Sequence, residues 1–185
     1  MTTIYLIRHG ETDWNVAGRY QGQADPPLNA RGIAQSEQLA GELRAVDLQA
    51  LCSSPLRRAA QTAEILSIAL GIPYTTDPRF MEIHQGDWQT RLRSEIESLY
   101  PEVFRLWERR PWETQPPGGE TLEDVQMRVN QGADDLIAGH PGQRVGLVTH
   151  RIPIALLKMR FQALDRDIVR SLHLPNTYWE AVQTG

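Results

Sequence analysis

Cysteine is nearly absent from this chain of 185 residues. Cys52 stands alone, so no intrachain disulfide and no cysteine-built zinc site can form, and a small buried hydrophobe is its expected role. Lysine is equally scarce: Lys158 is the only lysine among 19 basic residues, so arginine carries the positive charge wherever the chain needs it. Arginine's rigid fork suits bidentate phosphate binding. An excess of positive charge is missing too. The formal net charge of −4 argues against a nonspecific nucleic-acid binder, whose affinity rests on a basic surface. Long apolar runs are lacking, and none approaches the roughly 18 residues of a membrane span. Met1-Thr2-Thr3 enters the first apolar stretch without the basic and apolar regions of a signal peptide, so a cytoplasmic protein without membrane partners is expected.

What remains is an ordinary globular composition, 41% hydrophobic and 23% charged, which sets disorder aside. The length fits one domain over residues 1–185, with a cap or substrate-loop insertion at about 83–118. One stretch organises the rest. The apolar run Ile4-Tyr5-Leu6-Ile7 stops abruptly at Arg8-His9-Gly10, as a strand buried on both faces would, and in open α/β sheets ligands collect at the carboxyl ends of such strands.

From Thr12 to Leu28 the chain is polar, glycine- and proline-containing and without period, a pattern that in compact domains usually marks a functional loop. Asn29 then caps a helix to about Val46, with Ile33, Leu39, Ala40 and Leu43 on its apolar side. Leu48 to Ser53 reads as a second strand. Ser54-Pro55 gives an N-cap with proline at the first helical position, and Gly71 ends that helix. Tyr74 to Asp77 reads as a strand. Asp77 to Gly118 is irregular and aromatic, with one helix around Ser94 to Trp107. Thr121 to Asp124 matches a capping box opening a helix that ends near Gly139. Arg144 to Thr149 repeats the opening design and finishes in His150. A helix over Ile154 to Ala163 and two closing strands, Arg170 to Leu174 and Tyr178 to Gln183, complete the chain. Alternating strands and helices predict an α/β, three-layer, mainly parallel β-sheet with helices on both faces.

If the two histidine-ended strands are neighbours, His9 and His150 come side by side, and Arg8 and Arg58 can join them. Two arginines and two imidazoles match the anionic oxygens of a phosphoryl group, and positioned positive donors are the main requirement of phosphoryl transfer. His9, Glu11 and Asp13 alternate but lack a diagnostic ligand spacing, so no metal is expected.

Several motifs in order resemble the histidine phosphatase superfamily, which includes the cofactor-dependent phosphoglycerate mutases. They are Arg8-His9-Gly10-Glu11-Thr12 with Trp14-Asn15, Gln21-Gly22, Asp25-Pro26-Pro27-Leu28, Ser53 to Ala63 around Arg58, Glu82 with Gly86-Asp87-Trp88, Gly118-Gly119-Glu120, and Val148-Thr149-His150. The resemblance implies the phosphoglycerate mutase-like fold and a phosphohistidine formed at His9, with Arg8, Arg58 and His150 on the phosphoryl oxygens. It implies that Glu82 protonates the leaving oxygen and then activates water, that Asn15, Gln21 and Gly22 line the pocket, and that neither metal nor cofactor is needed. His9 must present one neutral nitrogen, which a hydrogen bond from its other N–H to a backbone carbonyl would secure. A charged His150 would favour the anion. An apolar setting near Phe80, Met81 and Trp88 would help Glu82 hold its proton.

One position departs from the pattern: Arg151 follows His150 where the family usually has glycine. Its side chain can point into solvent, bind a second anionic group of the substrate, or obstruct the pocket. The expected function is metal-independent hydrolysis of a small anionic phosphomonoester. A phosphoglycerate mutase is the rival, disfavoured because the segment from Glu82 to Gly118 is short. A non-catalytic phosphate-binding or interaction domain is the third reading, and a homodimer is an open arrangement.

Overall fold

The computed structural model describes residues 1–184. Its sheet contains β1 (Thr3–Arg8), β2 (Ala50–Ser53), β3 (Tyr74–Thr76), β4 (Arg144–Thr149) and β5 (Trp179–Gln183), in the spatial order β3-β2-β4-β1-β5. All neighbours run parallel except β5, which lies antiparallel on β1 at the edge. The expected mainly parallel sheet is therefore present. The fold is three-layered because alternate strand residues feed two separate cores. Ile4, Leu6, Cys52, Val145, Leu147 and Val182 pack on one face, and Ile7, Leu51 and Val148 on the other. Each of these is no more than 4% exposed, as strands covered on both faces require.

The second face is covered by α2 (Ala30–Leu43) and α3 (Arg57–Leu70). Asn29 caps α2 as expected, its side chain accepting the Gly32 N–H at 2.8 Å. Ile33, expected on the apolar side, is 42% exposed instead. The neighbouring Gly32 takes the contact position, because the backbone of Glu11 passes where a side chain would stand: a Cβ there would lie 2.1 Å from the Glu11 carbonyl oxygen. Ser54 does not cap α3. The helix begins later, at Arg57, whose N–H is received by the Asp25 carboxylate at 2.6 Å, leaving Ser54 free for another partner.

The first face carries α6 (Leu122–Gly139) and α7 (Arg151–Phe161). Thr121 and Asp124 form the expected capping box, and α7 starts three residues earlier than its apolar pattern indicates, at Arg151. Between β3 and α6 the single expected helix is two, α4 (Arg93–Leu99) and α5 (Pro101–Arg109). Pro101 forces the break by excluding α conformation at Tyr100. This segment is fastened by Trp88, fully buried, whose ring meets those of Phe104 and Trp107 edge-on at centroid distances of 5.7 and 5.9 Å. The segment from Thr12 to Leu28 contains α1 (Asp13–Ala17), capped by Thr12.

Arg170 to Leu174, expected as a strand, is instead the end of α8 (Ile168–Ser171) and an extended loop. Its alternating Leu172 and Leu174 imitate a strand, but side chains take its carbonyls: Arg151 those of Val169, Arg170 and Leu172, and Arg8 that of Leu174.

Replacing Gly32 with alanine is expected to push the loop after β1 off α2 and lower the unfolding free energy by about 1–3 kcal/mol, read as a lower urea midpoint at unchanged m-value.

Candidate active site

The register of β1 on β4 pairs Arg8 with Thr149, so the next residues, His9 and His150, leave the same sheet edge side by side. Their rings sit 5.1 Å apart between centroids. The His9 N–H donates to the Thr149 carbonyl at 3.2 Å, while the His9 carbonyl receives the Thr177 N–H and the Asn176 side-chain amide. Gly10 cannot be anything larger, since a Cβ would lie 2.5 Å from the Gly32 carbonyl oxygen.

That turn sets the imidazole. His9 Nδ1 donates to the Gly10 carbonyl at 2.7 Å, which leaves Nε2 as the bare nitrogen. Burial, followed by the charges of Arg58 and Arg8, holds the His9 pKa well below its ordinary value, so the ring is neutral at pH 7. Arg58 is 1% exposed and reaches the site from the first turn of α3, donating to the carbonyls of Gly22 and Ala24 at 2.7 and 2.9 Å. Burial lowers its pKa to about 10, against the pull of Glu82 and Asp25, and it stays charged at neutral pH. The Nε atoms of both Arg8 and Arg58 are buried without a partner.

His150 is also held neutral, by burial first and then by Arg58 and the other nearby cations, so a charged His150 does not occur in the free protein at neutral pH. Its Nε2 lies 2.8 Å from Ser54 Oγ. That oxygen also accepts the Leu56 N–H at 3.3 Å, and His150 Nδ1 is buried with no partner. Glu82 is half-buried and offers Oε1 to the Ile83 and Ile152 N–H groups at 2.9 and 3.3 Å, the latter in the first turn of α7.

These side chains border a cleft of about 580 Å³. Arg8, His9, Arg58, Glu82, Asn15, Gln21, Gly22 and Arg151 all line it, whereas His150 is packed behind His9. Arg151 does not point into solvent: it crosses to the α8 carbonyls and forms part of the wall. His84 turns away, its Nδ1 accepting the Gly86 N–H at 3.1 Å, and Gln85 lines the cleft in its place. The far wall comes from residues without a sequence signal, including Trp107 and Glu108 of α5 and Arg170 and His173 near α8.

The family model described as the histidine phosphatase superfamily (branch 1) matches residues 4–185. The chain belongs to this superfamily. Phosphoserine phosphatase 1 of Hydrogenobacter thermophilus is 36% identical over 182 residues, covering 98% of this chain and 86% of the relative. Among solved structures, Bacillus stearothermophilus YhfR superposes with a TM-score of 0.94 at 35% identity, covering 100% of this chain and 92% of that one. Mycobacterial glucosyl-3-phosphoglycerate phosphatase Rv2419c, solved with VO3, gives 0.89 at 32% identity and covers 97% and 91%. Relatives named for an activity include phosphatases and also probable phosphoglycerate mutase GpmB of Proteus mirabilis, 34% identical over 180 residues and covering 95% of this chain and 82% of the relative, and this histidine phosphatase is a phosphomonoester hydrolase of the same fold.

Two neutral buried histidines make stability depend on pH. Their folded pKa values lie below that of an unfolded histidine, so the unfolded chain takes up protons first as pH falls. Stability is expected to be full above about pH 7 and to fall below it by up to about 1.4 kcal/mol per pH unit for each histidine. Urea titrations at pH 8, 6 and 5 should show this fall, and His150→Asn should halve its slope.

Proposed function

We propose that His9 Nε2 attacks the phosphorus of a small anionic phosphomonoester, the ester P–O bond breaks, and the Glu82 carboxyl hands its proton to the departing oxygen. Glu82 then takes a proton from water as that water hydrolyses the phosphohistidine and frees His9. The observation that carries this reading is the Nδ1–Gly10 hydrogen bond, which fixes a neutral histidine with its nucleophilic nitrogen bare among cations.

Arg8 and Arg58 supply charge at the phosphoryl oxygens, Asn15, Gln21 and Gly22 shape the near wall of the cleft, and His150, fully buried beside His9, backs the nucleophile. Positive groups are prepaid here. Burying them costs folding free energy that a bound anion returns. Asn15 is oriented by Thr12, whose N–H and hydroxyl both donate to its Oδ1 at 3.1 Å, so the Asn15 amide N–H groups are left as donors. Beyond the phosphate, Arg151 and the arginines on the far wall favour a substrate with a second anionic group, with Arg151 contributing through the edge of its guanidinium not engaged by α8.

A metal-free assay over a panel of phosphomonoesters, with and without a bisphosphoglycerate primer, tests the reading. Wild type is expected to release phosphate without primer, alkaline quenching to trap a phosphoprotein that is stable in alkali and lost in acid, and His9→Ala to lose at least about a thousandfold in kcat/KM. Activity persisting in His9→Ala would overturn the mechanism, and primer-dependent isomerisation would replace the hydrolase with a mutase.

A further inference from the structure

Glu82 lies on a stretch without regular structure, between a single 3₁₀ turn at Pro78–Phe80 and another at Gly86–Trp88. A general acid on such a segment needs something to hold it, and the holder is not in the cleft. Arg128 of α6 spends its whole guanidinium there. Nη1 donates to the carbonyls of Arg79 and Met81, both at 2.7 Å, and Nη2 to the carbonyl of Glu82 at 3.0 Å. Nε and Nη2 grip the two oxygens of Glu120 at 2.8 and 2.9 Å. An arginine has five N–H donors, and all are engaged.

Glu120 closes the ring. Its Oε2 accepts the His84 N–H at 2.7 Å, and Gln23 Nε2 adds a bond of 3.1 Å to the Glu82 carbonyl. The Glu82 backbone is thus gripped on itself and on both sides by a bidentate ion pair whose side chains are 18% and 24% exposed. The glycines around it exist for this contact. A Cβ on Gly119 would lie 2.4 Å from the His84 carbonyl oxygen, and one on Gly86 2.0 Å from that of Pro117. Neither Arg128 nor Glu120 lines the cleft.

We infer that Arg128 and Glu120 are positioning residues of the phosphatase, aiming Glu82 at the leaving oxygen. The inference rests on the proposed role of Glu82 as proton donor. Displacing a catalytic group by about 1 Å costs on the order of a hundredfold in rate. The loss falls where a proton is needed: an alkoxide cannot leave without one, whereas 4-nitrophenolate can. Lysine at position 128 keeps the charge but not the fork, having three donors and no planar geometry.

The test compares kcat/KM for 4-nitrophenyl phosphate, phenyl phosphate and an alkyl phosphomonoester in wild type, Glu82→Gln, Arg128→Lys and Glu120→Gln. Ratios between substrates cancel the fraction of folded enzyme, so a variant that folds poorly still reports. Arg128→Lys and Glu120→Gln are expected to lose about ten- to a hundredfold on the alkyl ester while staying within about threefold on 4-nitrophenyl phosphate. Glu82→Gln should show the same pattern. Equal losses on all esters, or no loss, in the Arg128 and Glu120 variants while Glu82→Gln discriminates would overturn the inference. A Glu82→Gln enzyme that does not discriminate would overturn the role of Glu82 itself.

Discussion

The site depends on the pairing of β1 with β4. Because side chains alternate along a strand, a slip of one residue would turn Ile7 and Val148 from one core to the other and separate His9 from His150. The pairing of β2 on the other side of β4 sets the Ser54 N–H on the Val148 carbonyl at 2.9 Å, bringing the end of β2 to the edge where both histidines emerge. Two ladders that share β4 thus position His9, the partner imidazole of His150 and the Ser54 hydroxyl beside it. Apolar packing on both faces keeps those ladders in register, so the chemistry is anchored in the most buried part of the molecule.

The cost of such depth is electrostatic. Two guanidinium groups near the floor face two imidazoles that burial and those same cations keep neutral. Carbonyls of Gly22, Ala24 and Leu174 partly solvate the arginines, yet their Nε atoms remain unpartnered. An anion resolves this imbalance better than water, since charge-assisted hydrogen bonds to oxyanions are about twice as strong as neutral ones. Keeping His9 neutral and lowering the cost of bringing a phosphate dianion into the cleft are two effects of one charge arrangement.

Local rules made much of this legible. The stop at Arg8-His9-Gly10, the caps at Asn29 and Thr121 and the repeated design ending in His150 each reflect physics confined to a few residues. What was hidden depends on residues far apart in the chain. Ser54 reads as a helix cap because its neighbours are a proline and a helix, and only the sheet order reveals His150 beside it. The segment from Arg170 to Leu174 alternates like a strand, but long-range arginines claim its carbonyls before a neighbouring strand can. Gln85 and His84 are indistinguishable by spacing from Glu82, and the turn at Gly86 selects between them.

Arg151 illustrates how a departure from a motif is absorbed by geometry. Where glycine would permit close backbone approach, this chain starts α7, and the carbonyls of Val169, Arg170 and Leu172 take up the Arg151 guanidinium. The arginine meets the C-terminal carbonyls of α8, the end of a helix that favours a cation. In the same region Arg170 donates to the Arg109 carbonyl at 3.2 Å, and the Arg166 guanidinium lies 4.6 Å from the centroid of the Trp112 ring. These contacts join α5 and its continuation to the α8 segment within the far wall. The wall opposite His9 is consequently held by contacts of single side chains, while the wall that carries His9 is built from the sheet. Substitution can reshape the first without disturbing the second, so the cleft's far wall can change while the sheet edge that carries His9 keeps its register.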